Sequence, residues 1–265
     1  MTTGIMAEGV PVELRSRNMP FGLPCSAGWV PVSDYWAIFY MTMRSGQEND
    51  QRQTLAVFDL DGTLTYCDTL LPFLRHAAGR AVFWVKMPSL VPVLVAFRLG
   101  LKERTAAKEA VLRRFIGGWP VEEVEAAAVS FAIRVLPRLC NREALDRLRW
   151  HLGKGHRVCI ASASLEMYVR GWAADVGVAD VAATRLESVG GRVTGRLDGA
   201  NCYGPEKLVR LRQRIGEVEG LSLHVYGDSA GDRALLDAAQ HQHYKPFRQR
   251  WHRLQAIVTL LRALL

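Results

Sequence analysis

Apolar and polar positions alternate in a regular way from Thr54 onward. Leu55 to Leu60 is a continuous apolar stretch, the pattern of a strand buried on both faces of a parallel sheet. Residues 70 to 135 then keep a helical period almost throughout, with breaks expected at Pro88, Pro92, Gly100 and the G-G-W-P turn of 117–120. In N-R-E-A-L-D-R-L-R-W-H-L-G, Asn141 is placed to cap a helix and Gly153 to end it. A strand (R-V-C-I-A-S) and a helix (L-E-M-Y-V-R-G-W-A-A-D-V) follow, and Gly190-Gly191 marks a hairpin between two short strands. A helix over 205–215, the strand L-S-L-H-V-Y, and a helix opened by G-D-S-A-G-D and ending near Ala239 complete the regular part.

Short apolar strands alternating with helices predict an α/β fold with a doubly wound parallel sheet. The helical block after the first strand is too long for one crossover, so it is expected to stand apart as an inserted all-helical cap. The expected division is a core of 53–66 and 140–247, a cap of 67–139, and a basic amphipathic C-terminal helix over 248–265. Residues 1–52 carry Pro11, Pro20, Pro24 and Pro31, then the polar run S-G-Q-E-N-D-Q-R-Q, and read as a poorly ordered N-terminal extension.

The 265 residues, 49% hydrophobic and 23% charged, suffice for a large core with a smaller lobe. A net charge of +8 suits a phosphorylated substrate, an anionic membrane surface or nucleic acid. Aromatic residues do not interleave with the basic ones as a strand-binding groove requires, so nucleic acid is not expected. Five scattered cysteines without a C-x-x-C argue against zinc or a disulfide framework and fit a cytoplasmic protein. The apolar stretch beginning A-V-F-W-V-K-M-P is interrupted by Lys86, Pro88, Pro92 and Arg98. It therefore reads as too short to span a membrane, with peripheral contact the alternative.

The chemistry gathers where apolar strands stop. Asp59 and Asp61 follow the first strand one residue apart, so both carboxylates can face one small target. Ser162, Asp228 and Asp232 also fall at or just beyond strand ends, where doubly wound sheets bind ligands. The histidines show no ligand spacing, and H-Q-H at 241–243 is expected in a surface loop.

The stretch D-L-D-G-T-L-T resembles the first motif of the haloacid dehalogenase-like phosphohydrolases. A serine ending V-C-I-A-S, the lysine of G-P-E-K and the aspartates of G-D-S-A-G-D follow in family order. The resemblance implies that Asp59 attacks phosphorus to form an aspartyl-phosphate and that Asp61 is the general acid and base. Ser162, with the neighbouring Ala163 backbone, would hold the phosphate, and Lys207 would neutralise it and orient Asp59. Mg²⁺ is the implied cofactor, with Asp59, the Asp61 backbone carbonyl and Asp228 as ligands. Asp232 would act through Lys207 or at the metal.

A cap in this position, with A-T-R-L-E-S and G-R-L-D-G-A-N-C-Y-G-P-E-K, resembles the phosphoserine-phosphatase-like branch and implies a small phosphorylated metabolite as substrate. Asp68 stands where those enzymes have a glutamate for the substrate amine, and Arg113 lies near the place of their cap arginine. Gly62 and Gly231 stand where they usually have Ser and Asn. The apolar cap and basic C terminus favour, as the alternative, a lipid phosphate dephosphorylated at a membrane surface. A non-catalytic phosphate- or nucleic-acid-binding module is disfavoured by the completeness of the motif set.

Overall fold

A computed structural model describes residues 54–247 and 252–264. The expected N-terminal extension, 1–52, lies outside the described residues, as do Arg248 and Arg250. Strands β1 (Thr54–Phe58), β2 (Arg157–Leu165), β3 (Asp180–Val189), β4 (Arg192–Asp198), β5 (Ser222–Gly227) and β6 (His241–Tyr244) form one sheet in the order β4-β3-β2-β1-β5-β6. All neighbours are parallel except β3 and β4, which form the expected hairpin. On β1, Ala56 and Phe58 enter one apolar cluster while Leu55 and Val57 enter the other, which is why the strand reads as unbroken apolar sequence.

Between β1 and β2 the chain builds a helical lobe. It comprises α1 (Leu70–Ala78), α2 (Arg80–Lys86), a 3₁₀ turn (Met87–Leu90), α3 (Val91–Arg98), α4 (Arg104–Ile116), α5 (Val121–Arg134) and the single turn α6 (Leu136–Leu139). Then α7 (Arg142–Gly153) leads into β2, with Asn141 capping it by accepting from the Glu143 N–H at 3.1 Å. The two passages between core and lobe lie side by side. Tyr66 N–H donates to Leu139 O at 2.9 Å and Asn141 N–H to Leu64 O at 2.8 Å, so that Thr65 and Cys140 form an antiparallel bridge. The tip of the β3–β4 hairpin also grips the lobe: Gly118 N–H donates to Val193 O at 2.7 Å and Val193 N–H to Trp119 O at 2.9 Å.

The breaks expected at Pro88 and Pro92 fall where α2 gives way to the 3₁₀ turn and where α3 begins, while the chain keeps a helical course from Arg80 to Arg98. Each proline falls in the first turn of a helical segment, where its missing N–H costs nothing. The core closes with α8 (Glu166–Asp175), α9 (Pro205–Ile215), α10 (Arg233–Ala238) and α11 (His252–Leu264), whose Leu260, Ala263 and Leu264 pack on the apolar cluster.

H-Q-H is a strand, not a surface loop. His241 and His243 lie on β6, paired with His224 and Tyr226 of β5. His151 of α7 is fully buried against them, its Nδ1 2.8 Å from His156 Nδ1 and its Nε2 2.9 Å from the Tyr226 hydroxyl. Burial pushes His151 down to about 3 and His224 to about 4, with neighbouring histidines adding to the effect. The folded protein therefore keeps these rings neutral where the unfolded chain protonates them, and stability contributed by them is lost as pH falls below about 6.5. His151→Gln is expected to flatten the fall in unfolding free energy between pH 6 and 4 by about 1.4 kcal/mol per pH unit. Urea denaturation of both proteins across that range checks it, since the difference isolates this ring from the titrating carboxylates.

Candidate active site

Separate stretches of the chain deliver side chains to the carboxyl edge of the sheet. Asp59 follows β1, and after it the chain winds through a wide turn, Leu60–Leu64, that carries Asp61. Lys207 sits in the first turn of α9, held there because Gly204 N–H donates to Gly231 O at 2.9 Å. Asp228 and Asp232 lie beyond the end of β5. Lys207 is 2% exposed and its Nζ donates to Asp59 Oδ1 at 2.7 Å and to Asp232 Oδ1 at 2.6 Å. Burial alone would lower its pKa, but the two carboxylates prevail and hold it above the ordinary lysine value. Desolvation pushes Asp59 up to about 8 against the pull of Lys207.

The acids divide by what surrounds them. Asp232 is saturated: beyond Lys207, its Oδ2 accepts from Asp228 N–H, Ser229 N–H and the Ser229 hydroxyl, at 3.1, 3.0 and 2.9 Å. Asp232 shares with Asp59 and Asp228 the cluster of carboxylates that could hold a metal ion, and these bonds also make it the residue that positions Lys207 and the loop. Among the described residues the side-chain hydrogen bonds of Asp59 fall on Oδ1, from Leu60 N–H and Lys207, and leave Oδ2 available. Carboxylate oxygens of Asp59, Asp228 and Asp232 all lie within 4.8 Å of one another. Asp228 comes so close to the D-G-T turn that a Cβ on Gly62 would lie 2.6 Å from its Oδ2, and Gly62 also has φ +81°. Only glycine fits there. A buried, all-oxygen set with more carboxylates than ammonium groups suits a hard divalent cation such as Mg²⁺, held by Asp59 and Asp228.

Asp61 turns its side chain away from that cluster. Oδ1 accepts from the Thr69 N–H and hydroxyl at 3.0 and 2.8 Å, and Oδ2 from the Ser164 hydroxyl at 2.5 Å. Burial, then the nearby Asp68 carboxylate, pushes it up to about 7 despite these bonds. Such a carboxyl can carry a proton near neutrality and also give it up. Thr69 is further tied to Ser164 and to the Tyr168 hydroxyl, both at 3.0 Å. The motif residues read from the sequence include none of Thr69, Ser164 and Tyr168. Neither Ser162 nor Ser164 caps α8, because β2 continues to Leu165. Ser162 is fully buried, its Oγ accepting from Ser164 N–H at 3.0 Å, and the Ala163 carbonyl is taken by Lys108 and Thr184.

The lobe contributes a cation, though not the expected one. Arg113 is exposed and is not gathered into the site; its backbone lies against Gly195 of the hairpin. One turn and a half earlier on α4, Lys108 reaches down to the Ala163 carbonyl and, at 3.1 Å, to Asn201 Oδ1. Burial lowers it to about 8, while the Asp61 and Asp68 carboxylates work the other way. Asp68 is exposed and accepts from Leu70 N–H, at the start of α1, at 2.9 Å. The lobe also closes on Tyr203, whose ring occupies the space a Cβ at Gly231 would need, 2.3 Å away. The Arg104 guanidinium lies 4.2 Å from that ring and 5.4 Å from Phe97. This explains a glycine where the resembled enzymes carry asparagine.

Acids at two strand ends are thus bridged by a buried lysine. The family model of haloacid dehalogenase-like hydrolases covers residues 56–237. The chain belongs to that family. Protein CicA of Caulobacter vibrioides is 37% identical over 196 residues, 73% of this chain and 86% of the relative. A phosphoserine phosphatase of Archaeoglobus fulgidus is 27% identical over 194 residues, 72% of this chain but 52% of the longer relative. Among solved structures, a protein of unknown function from Bordetella pertussis superposes with a TM-score of 0.60 at 26% identity, covering 71% of this chain and 87% of that one. The chain is thus a haloacid dehalogenase-like hydrolase, and its likeness is to the phosphatases of the family.

Proposed function

We propose that this hydrolase is a Mg²⁺-dependent phosphomonoesterase working through an aspartyl-phosphate. The observation that carries the proposal is the division of labour between Asp59 and Asp61. Asp59 has one oxygen fixed by Lys207 and the other available, while Asp61, a short distance along the chain, is held apart in a shell that raises it to about 7. Asp59 Oδ2 attacks phosphorus as the ester P–O bond breaks, and Asp61 gives its proton to the departing alkoxide. In the second half-reaction Asp61 takes a proton from water, which attacks phosphorus and returns Asp59 as a carboxylate. Lys207 and the Ser162 hydroxyl offset the charge gathering on the phosphoryl oxygens. Mg²⁺, held by Asp59 and Asp228, would supply Lewis-acid charge neutralisation.

For the leaving group, Lys108 and Asp68 provide one cation and one anion beside Asp61. This pairing supports a small zwitterionic or anionic phosphate ester of the phosphoserine kind. A second reading, a lipid phosphate, is favoured by the outward apolar side of the lobe taken up below. Phosphate release from a panel of soluble and lipid phosphomonoesters tests both readings. Activity is expected with Mg²⁺, lost on chelation with EDTA and regained when Mg²⁺ is restored. Turnover indifferent to EDTA would overturn the proposal.

A further inference from the structure

We infer that the Arg80–Leu101 edge of the lobe is a docking surface for an anionic phospholipid bilayer. The helical course Arg80–Arg98 is 19 residues long with a mean hydropathy of 1.5, yet only 11% of it is buried. Its residues sort cleanly by face. Phe83 and Leu90 are buried, with the Phe83 ring stacked on Phe115 at 5.3 Å. Lys86 also points inward, donating to the Phe115 carbonyl in the last turn of α4 at 3.5 Å, and Ser89 accepts from Arg114 at 2.8 Å. The opposite face is Ala81, Val85, Pro88, Pro92, Val95 and Leu99, spaced by four and three in turn, and every one of them is exposed. Val85 is 77% exposed and Leu99 68%, and Trp84 and Leu101 extend the same apolar area.

This is the reverse of a water-facing helix, whose polar side should look outward. The one charge inside the run is turned inward to cap a neighbouring helix, so the outer stripe stays uncharged until Arg98. What surrounds the stripe identifies the occupant. From Thr69 to Lys102 the sequence contains no Asp or Glu, while Arg80, Arg98 and Lys102 stand at the two ends of the stripe. Cations flanking an apolar helical face, with a tryptophan on it, match an interfacial helix lying on anionic headgroups. The inner face explains why the segment docks and does not span: crossing a bilayer would strip Phe83, Leu90 and Lys86 from α4, which carries Lys108 to the active site.

The proposal stands independently of the phosphatase reading, because binding is measured without turnover. The full chain is floated with vesicles of phosphatidylcholine alone and of phosphatidylcholine mixed with phosphatidylglycerol, at low and high salt. Flotation is expected with the anionic vesicles, weakened by salt and released by alkaline carbonate. Val85→Glu/Leu99→Glu, at two exposed positions remote from the catalytic residues, should weaken binding roughly thirtyfold or more while leaving hydrolysis of a soluble ester unchanged. Equal flotation of the variant, resistance to carbonate, or absence of flotation would each overturn the inference. So would a wild-type dimer that the same substitutions dissociate, since the stripe would then serve a second copy.

Discussion

Asp59→Asn is expected to lower phosphate release by roughly 10⁴- to 10⁶-fold, the loss seen when a nucleophile is removed from an otherwise intact site. The amide is nearly isosteric, and its oxygen can still accept from Leu60 N–H and Lys207, so folding should be little disturbed. What disappears is the anionic oxygen that attacks phosphorus. Removal of Asp61 should behave differently. An amide there cannot cycle a proton, but Asp59 could still be phosphorylated by an ester with a good leaving group, and the phosphoenzyme would persist. Rapid-quench trapping of labelled protein therefore distinguishes the two: label on Asp61→Asn and none on Asp59→Asn. Comparable steady-state turnover by Asp59→Asn and wild type would remove Asp59 as nucleophile.

Lys207→Met is expected to damage both stability and activity. It fills a similar volume but leaves Asp59 and Asp232 buried against each other without their shared cation. Breaking such a buried arrangement from one side costs about 3–5 kcal/mol, a fall of about 10 °C or more in Tm for a domain of this size. The sign of the pH dependence follows from the carboxylates. Without Lys207 the Asp59 carboxyl is held still further above its unfolded value, so the folded variant keeps a proton there to higher pH than wild type does. Its deficit should narrow as pH falls from 9 to 7, where wild-type Asp59 takes up its own proton, and widen as pH rises again. Calorimetry of wild type and variant over that range reads the effect. The loss of phosphoryl-charge stabilisation should lower kcat/KM by about 10²- to 10³-fold. A variant equal to wild type in Tm would show that Lys207 does not hold the two acids together.

Most of the core was legible because its cues are local. β1 is apolar on both faces, Gly190-Gly191 supplies the positive φ of a tight turn, and Asn141 accepts from the first turn of its helix. The motif acids were legible for a different reason, since parallel strands bring all their carboxyl ends to one edge regardless of what the loops do. What escaped was whatever depends on the third dimension. β6 reads as polar because it is an edge strand, and its histidines are stacked on Tyr226 and His224 across the ladder. Lys108 looked like any helical lysine until α4 was laid over Ala163, while Arg113, on the same helix, faces solvent. Thr69, Ser164 and Tyr168 lie up to 99 residues apart, and only the fold brings Thr69 and Ser164 onto Asp61 with Tyr168 behind Thr69.

The bridge between Thr65 and Cys140 has a consequence for descent as well as for folding. To the sheet, everything from Tyr66 to Leu139 is a single excursion that departs and comes home at adjacent points. Closing a longer excursion costs only logarithmically more entropy, so its length is nearly free once the junction is made. An ancestral gene could therefore exchange this whole segment for another of different size without moving Asp59 relative to Asp228. New substrates would be acquired by replacing the roof while the reaction below it stayed as it was.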